Sequence, residues 1–142
     1  MAFEITKVDV WAGEMKDRPG TLANKLGPVA QAGANLDFVI ARRQPDKPGT
    51  SVVFLAPLQG PQQTQAAEGA GLTKAAGLRS IRIVGPDRPG LGVGIAKTLG
   101  EAGLNIRGLS AGAVGDRCVT YIAFETDADA AKAIQVLTPT LV

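Results

Sequence analysis

Apolar residues follow two different periods along this chain. Leu22, Leu26, Val29 and Ala30 recur three and four apart, and Leu91, Ile95, Leu99 and Ala102 do the same. That spacing predicts two helices, each with one apolar face. Short stretches of alternation, Val8 to Ala12 and Ser80 to Val84, predict a strand ahead of each helix. After the helices, strands are expected to open at Asn35, with Leu36, Phe38 and Ile40 on one side, and at Asn105. Asp46 to Thr50 reads as a hairpin loop, with Val52 to Leu55 returning. Gly112 to Asp116 and Val119 to Phe124 play the same parts further on. Second helices are expected at Pro61 to Gly69 and at Asp127 to Leu137, the latter with Ala130, Ile134 and Leu137 on one side. Thr73 to Ala76 and Pro139 to Val142 are the expected closing strands.

The two series are copies of one unit. Asp17-Arg18-Pro19-Gly20 recurs 70 residues on as Asp87-Arg88-Pro89-Gly90. Ala32-Gly33, Asn35 and Leu36 recur at the same offset as Ala102-Gly103, Asn105 and Ile106. A turn motif that keeps its spacing to a second motif across a helix marks a duplicated module. Pro19 and Pro89 suit a helix start, and Gly33 and Gly103 suit the left-handed residue that ends one. The boundary is expected to fall between 1–77 and 78–142.

Composition narrows the chemistry. Of 142 residues, 45% are hydrophobic and 4% aromatic, which favours small, closely packed elements over disorder. A formal charge of +2 gives no footprint for nucleic acid or an anionic membrane. There is no histidine, which removes the commonest base near neutral pH and the commonest zinc ligand. The single cysteine, Cys118, forms no internal disulfide and no metal cluster. No paired carboxylates or nucleophile triad are visible, so the chain is not expected to be an enzyme and needs no cofactor. No secretory leader or membrane span is apparent, and the cytoplasm is the expected compartment.

Asp-Arg-Pro-Gly at a helix start, followed by Ala32-Gly33-Ala34-Asn35-Leu36 or Ala102-Gly103-Leu104-Asn105-Ile106 at the next strand, resembles the ACT domain. The resemblance covers nearly the whole chain as two copies. It implies an α+β fold of two ferredoxin-like β-α-β-β-α-β modules, with antiparallel sheets and helices on one face, able to join into one eight-stranded sheet. It also implies a regulatory module for amino-acid metabolism that binds a small amino acid or related metabolite. Partners implied are a second copy of the chain, as a homodimer, and a separate enzyme. In that family effectors sit between modules, at the loop after the first strand of one and the second strand of its neighbour. Carried over, the ligand-binding residues are Asp17, Arg18, Gly20, Thr21, Leu22 and Asn35, with Asp87, Arg88, Gly90, Leu91, Gly92 and Asn105. A helix start suits a carboxylate, Asp can accept from an ammonium, and Asn can donate and accept. Gly92 and Gly94 weaken the second helix by roughly 0.5–1 kcal/mol each; close approach of a ligand or of another module would account for them.

Plainer readings compete. Asp-Arg-Pro-Gly can serve only as a turn and helix cap, and the asparagines can serve only as turn residues. A ligand-free dimerisation module, or a regulatory subunit of a separate enzyme, is the alternative function. Gly90-Leu91-Gly92-Val93-Gly94 lacks the last glycine and the distal acidic residue of a dinucleotide site. Phe38, Phe54, Tyr121 and Phe124 lack the basic signature of an RNA-binding sheet. Trp11 is expected in the core.

Overall fold

The computed structural model describes residues 3–141, and for 75–78 the backbone alone. The elements run β1 (Glu4–Lys16), α1 (Thr21–Gln31), β2 (Phe38–Arg43), β3 (Thr50–Ala56), α2 (Gly60–Gly69), β4 (Thr73–Pro86), α3 (Leu91–Glu101), β5 (Gly108–Val114), β6 (Arg117–Phe124) and α4 (Asp127–Leu137). They divide into two compact units, one of Asp9–Ala76 and one of Met1–Val8 with Gly77–Val142.

In the Asp9–Ala76 unit the strand order is β2-β3-β1-β4, with β3 antiparallel to both β1 and β2. Its core gathers Trp11, Val53 and Leu55 from the sheet with Val29, Ala67 and Leu72. Along β1, the odd positions Trp11 and Met15 face that core, as period-two alternation requires. Helix α1 buries only Val29 fully, while Leu22 and Leu26 lie half-buried against the cluster. The expected Ala30 is exposed.

The other unit has the order β1-β4-β6-β5, with β6 antiparallel to β4 and β5. Its core is larger. Ile81, Ile83, Ile122 and Phe124 from the sheet meet Leu91, Ile95 and Leu99 of α3 and Ala130, Ala133 and Leu137 of α4. Both α1 and α3 end as their glycines foretell. Gly33 (φ 90°) and Gly103 (φ 77°) take the left-handed conformation. Ala34 N–H donates to Val29 and Leu104 N–H to Leu99, closing a Schellman motif in each case.

Three expectations change. The second unit is not closed by Pro139 to Val142: Pro139 and Thr140 form a turn after α4, Leu141 is buried in the core, and Val142 lies outside the described residues. The chain's own start closes it instead, as the first half of β1, with Phe3 and Ile5 packed on the core. The eight strand positions of two modules are therefore met by six strands, because β1 and β4 each contribute to both units. Asn35 and Asn105 precede their strands, which open at Phe38 and Gly108. Gly112 to Val114, read as turn, is strand.

Both closing strands are led in by one apolar residue seated over a glycine. A Cβ on Gly13 would meet Leu72 Cδ2 at 2.8 Å. A Cβ on Gly85 would clash with the Phe3 ring. Leu72 immediately precedes β4, and Phe3 immediately precedes β1. The glycines are notches for these side chains.

Charge also fastens the start of β1. The Lys7 ammonium lies 2.8 Å from Asp127 Oδ1 at the head of α4, and Arg79 Nε lies 3.2 Å from the same oxygen. The hydrogen bond from Lys7, ahead of the other charges, holds the Asp127 carboxyl below its usual range. A carboxyl lowered by folding adds stability above its ordinary pKa of about 4, and that stability is lost as pH falls through the folded value. Thermal midpoints of the wild type and Asp127→Asn should therefore differ at neutral pH and converge in acid. Parallel curves down to the acid limit would show that the pair adds nothing to stability.

Candidate ligand sites at the two helix-start loops

Each Asp-Arg-Pro-Gly segment bridges a first strand to a helix, but neither aspartate caps that helix. The residue before α1 is Gly20 (φ 89°) and the one before α3 is Gly90 (φ 81°), and neither helix has a side-chain cap. Pro19 and Pro89 therefore stand ahead of the helix, not inside it. A positive φ strains any residue with a Cβ, so glycine is the fitting choice here. Of the plainer reading, a turn and helix cap, the structure keeps the turn and removes the side-chain cap.

What the aspartates do differs between the copies. Asp17 N–H donates to Gly49 carbonyl at 3.0 Å. Its carboxylate lies 2.7 Å from Arg43 Nε and accepts from Ser51 Oγ at 3.3 Å. Thr21 ties the same loop down, its hydroxyl lying 2.7 Å from Lys16 carbonyl and 2.9 Å from Arg18 carbonyl. The second copy keeps only the backbone link, Asp87 N–H to Asp116 carbonyl at 2.7 Å. The reason is visible in the register. Arg43 pairs across the sheet with Ser51, whereas the corresponding pair is Ala113 with Cys118. Leu91, a core residue, replaces Thr21. Among the described residues nothing engages the Asp87 carboxylate, which is exposed. Arg88 turns instead onto Phe3, 5.2 Å from the ring centroid, a cation–π distance.

The remaining predicted residues scatter. Leu22 and Leu91 belong to the cores. Gly92 and Gly94 have open space where a Cβ would stand, so no packing within the described residues requires them. Asn35 and Asn105 are exposed. Within one unit they are remote from the loops: Lys16 pairs with Thr50 but Phe38 with Ala56, opposite ends of β3. Pro86 opposite Arg117 and Gly108 opposite Ala123 repeat this in the second unit. Six residues of strand span about 20 Å, beyond the reach of one small ligand. The structure thus brings neither asparagine to the loop of its own unit.

Beside the first loop lies a shallow cavity of about 240 Å³, lined by Glu14, Met15, Lys16, Arg18, Thr21, Asn24 and Lys25. Sequence reasoning named only Arg18 and Thr21 among these. Asn24 and Lys25 lie three and four residues beyond Thr21, on one helix face, and that spacing was the available signal. Glu14 is spoken for: Lys47 Nζ donates to it at 2.8 Å and Gln44 Nε2 at 3.0 Å. The Lys47 bond, more than any other cause, keeps its carboxyl below the usual range. Lys25 Nζ donates to Ala70 carbonyl at 2.7 Å. Cys118 is half-buried, with Thr120 Oγ1 at 3.8 Å. Among the described residues no acidic or Cys cluster could hold a metal, and no helix is long and apolar enough to cross a membrane.

Two β-α-β-β units with a fourth strand beside the first, and a glycine-ended loop leading into each first helix, define the ACT-type fold. Solved structures agree. A Bacteroides thetaiotaomicron protein superposes with a TM-score of 0.74 at 12% identity, over 92% of this chain and 88% of its own. The regulatory subunit of aspartate kinase from Thermus thermophilus, free of ligand, gives 0.62 at 17% identity, over 95% of both chains. Aspartate kinase from Clostridium acetobutylicum gives 0.62 at 14% identity, with 99% of this chain matching 34% of that enzyme. At these identities the likeness is one of fold: that of the regulatory, ACT-type domains of aspartate kinase. No family profile and no curated protein sequence matches the chain.

Proposed function

We propose that this protein is a regulatory module that binds a small amino acid or related metabolite, and that the Asp87 loop is its principal ligand loop. One observation supports this above the rest. The Asp17 carboxylate is consumed by Arg43 and Ser51, while the Asp87 carboxylate is left exposed and unengaged. An available carboxylate beside an uncapped helix start offers an acceptor for an ammonium and donors for a carboxylate. The chain carries no catalytic set among its described residues and acts by favouring one arrangement of modules over another, which requires different affinities for the two.

A thermal-shift screen against the twenty amino acids tests this. A ligand at 100 times its dissociation constant stabilises the folded state by about 2.7 kcal/mol. Asp87→Ala should weaken such binding at least about tenfold, since a hydrogen bond to a charged group contributes roughly 1.5–3 kcal/mol. Asp17→Ala should keep the ligand response and lower the thermal midpoint of the free protein. The reverse pattern would move the site to the first loop. A flat screen would favour the second reading, a subunit that regulates a separate enzyme without a ligand of its own. The near-complete overlap with a regulatory subunit of aspartate kinase supports that reading.

A further inference from the structure

We propose, resting on the reading of the Asp87 loop as the ligand loop, that Phe3 is a positioning residue for that loop: it holds the Arg88 guanidinium ready for a ligand's carboxylate. Among the described residues the loop has no side-chain hydrogen bond and no ion pair. What engages it is Arg88, whose Cζ lies over the Phe3 ring, 5.2 Å from the centroid. A guanidinium resting on a ring through its face keeps its N–H groups, which point outward in its own plane, free to donate. A carboxylate takes two such bonds at once. The ring therefore costs the site no donors. It also removes side-chain freedom that a ligand would otherwise have to remove on binding.

The ring is itself fixed. It packs on the core built from α3, α4 and the sheet. It also fills the space where a Cβ on Gly85 would stand, two residues before Asp87. One side chain thus touches both the segment that leads into the loop and the loop's own cation. Phe3 belongs to the residues ahead of Asp9 that complete this unit, so a site otherwise built around Asp87 and Arg88 draws on a residue some 80 positions away in sequence. Among the described residues the first copy has no such support. Arg18 lines a cavity that contains no aromatic side chain, and its loop is tied through Asp17 and Thr21 instead.

Side-chain NMR and the panel of twenty amino acids test this together. In the wild type the Arg88 Nε–H resonance should be displaced by the ring current and show restricted motion on the picosecond-to-nanosecond scale. Phe3→Leu keeps an apolar side chain on the core and removes the ring, so Arg88 should lose both marks. Phe3→Tyr should keep them. For each amino acid that raises the thermal midpoint of the wild type, Phe3→Leu should weaken binding about two- to fivefold, the worth of one exposed cation–π contact. Phe3→Tyr should bind as the wild type does. An Arg88 side chain as mobile in the wild type as in Phe3→Leu would overturn the proposal, whatever the panel gives. So would amino-acid affinity indifferent to Phe3→Leu. A flat panel beside an ordered Arg88 would sink the ligand reading and leave the positioning of Arg88 by Phe3 supported.

Discussion

Leu72→Ala is expected to lower stability by about 2–5 kcal/mol, the range for deleting a large side chain from a packed core. Leu72 has no exposed surface. It is the residue that seats the closing strand β4 over the Gly13 notch, so the substitution empties the core and frees the strand lead together. Its counterpart Phe3→Ala should cost less, because Phe3 is only partly buried. Chemical denaturation of both variants, followed by circular dichroism, measures the difference. Equal losses would mean that the two notches carry equal weight, against the burial.

Gly85→Ala is the second large effect. Its Cβ would overlap the Phe3 ring, so the ring must move. Overpacking of this kind typically costs about 1–3 kcal/mol. Most of that cost should appear as lost amide protection in Glu4 to Val8. A coupled pair betrays itself in the double variant. Once Phe3→Ala has removed the ring, adding Gly85→Ala should cost little more. Additive losses would show that the glycine serves something other than Phe3.

Much of the fold was legible because helical and strand periods differ and the pattern appears twice. Helix α4 spans the residues its spacing foretold, and Gly33 and Gly103 sit at the helix ends as expected. The shared strands were not legible from local pattern. From Phe3 along β1 the odd positions read Phe3, Ile5, Lys7, Asp9, Trp11, of which Phe3 and Ile5 pack on one core, Trp11 on the other, and Lys7 and Asp9 are exposed. The charged pair at Lys7 and Asp9 breaks the alternation and makes Val8 look like a beginning. In the structure it is where the strand leaves one core for the other, and both charges are satisfied locally, by Asp127 and by Lys74. The closing strand assigned to Pro139 to Val142 was misplaced for the same reason: a strand supplied from the opposite end of the chain leaves no local signal. In the candidate site, the motif was legible and its divergence was not. Nothing near Asp17 in sequence marks Arg43 and Ser51 as its holders; only sheet register brings them there. The exposed Asp87 follows from the loss of both partners on strands β5 and β6.

The sharing of β1 bears on the order in which the chain can fold as it is made. Everything the Asp9–Ala76 unit needs has been synthesised once Ala76 emerges. The first residues of β1, made before any of it, have their partners in β4 and in the core of α3, α4 and β6, which come last. Phe3 and Ile5 therefore wait, apolar and unpaired, until the elements after Ala76 have been made.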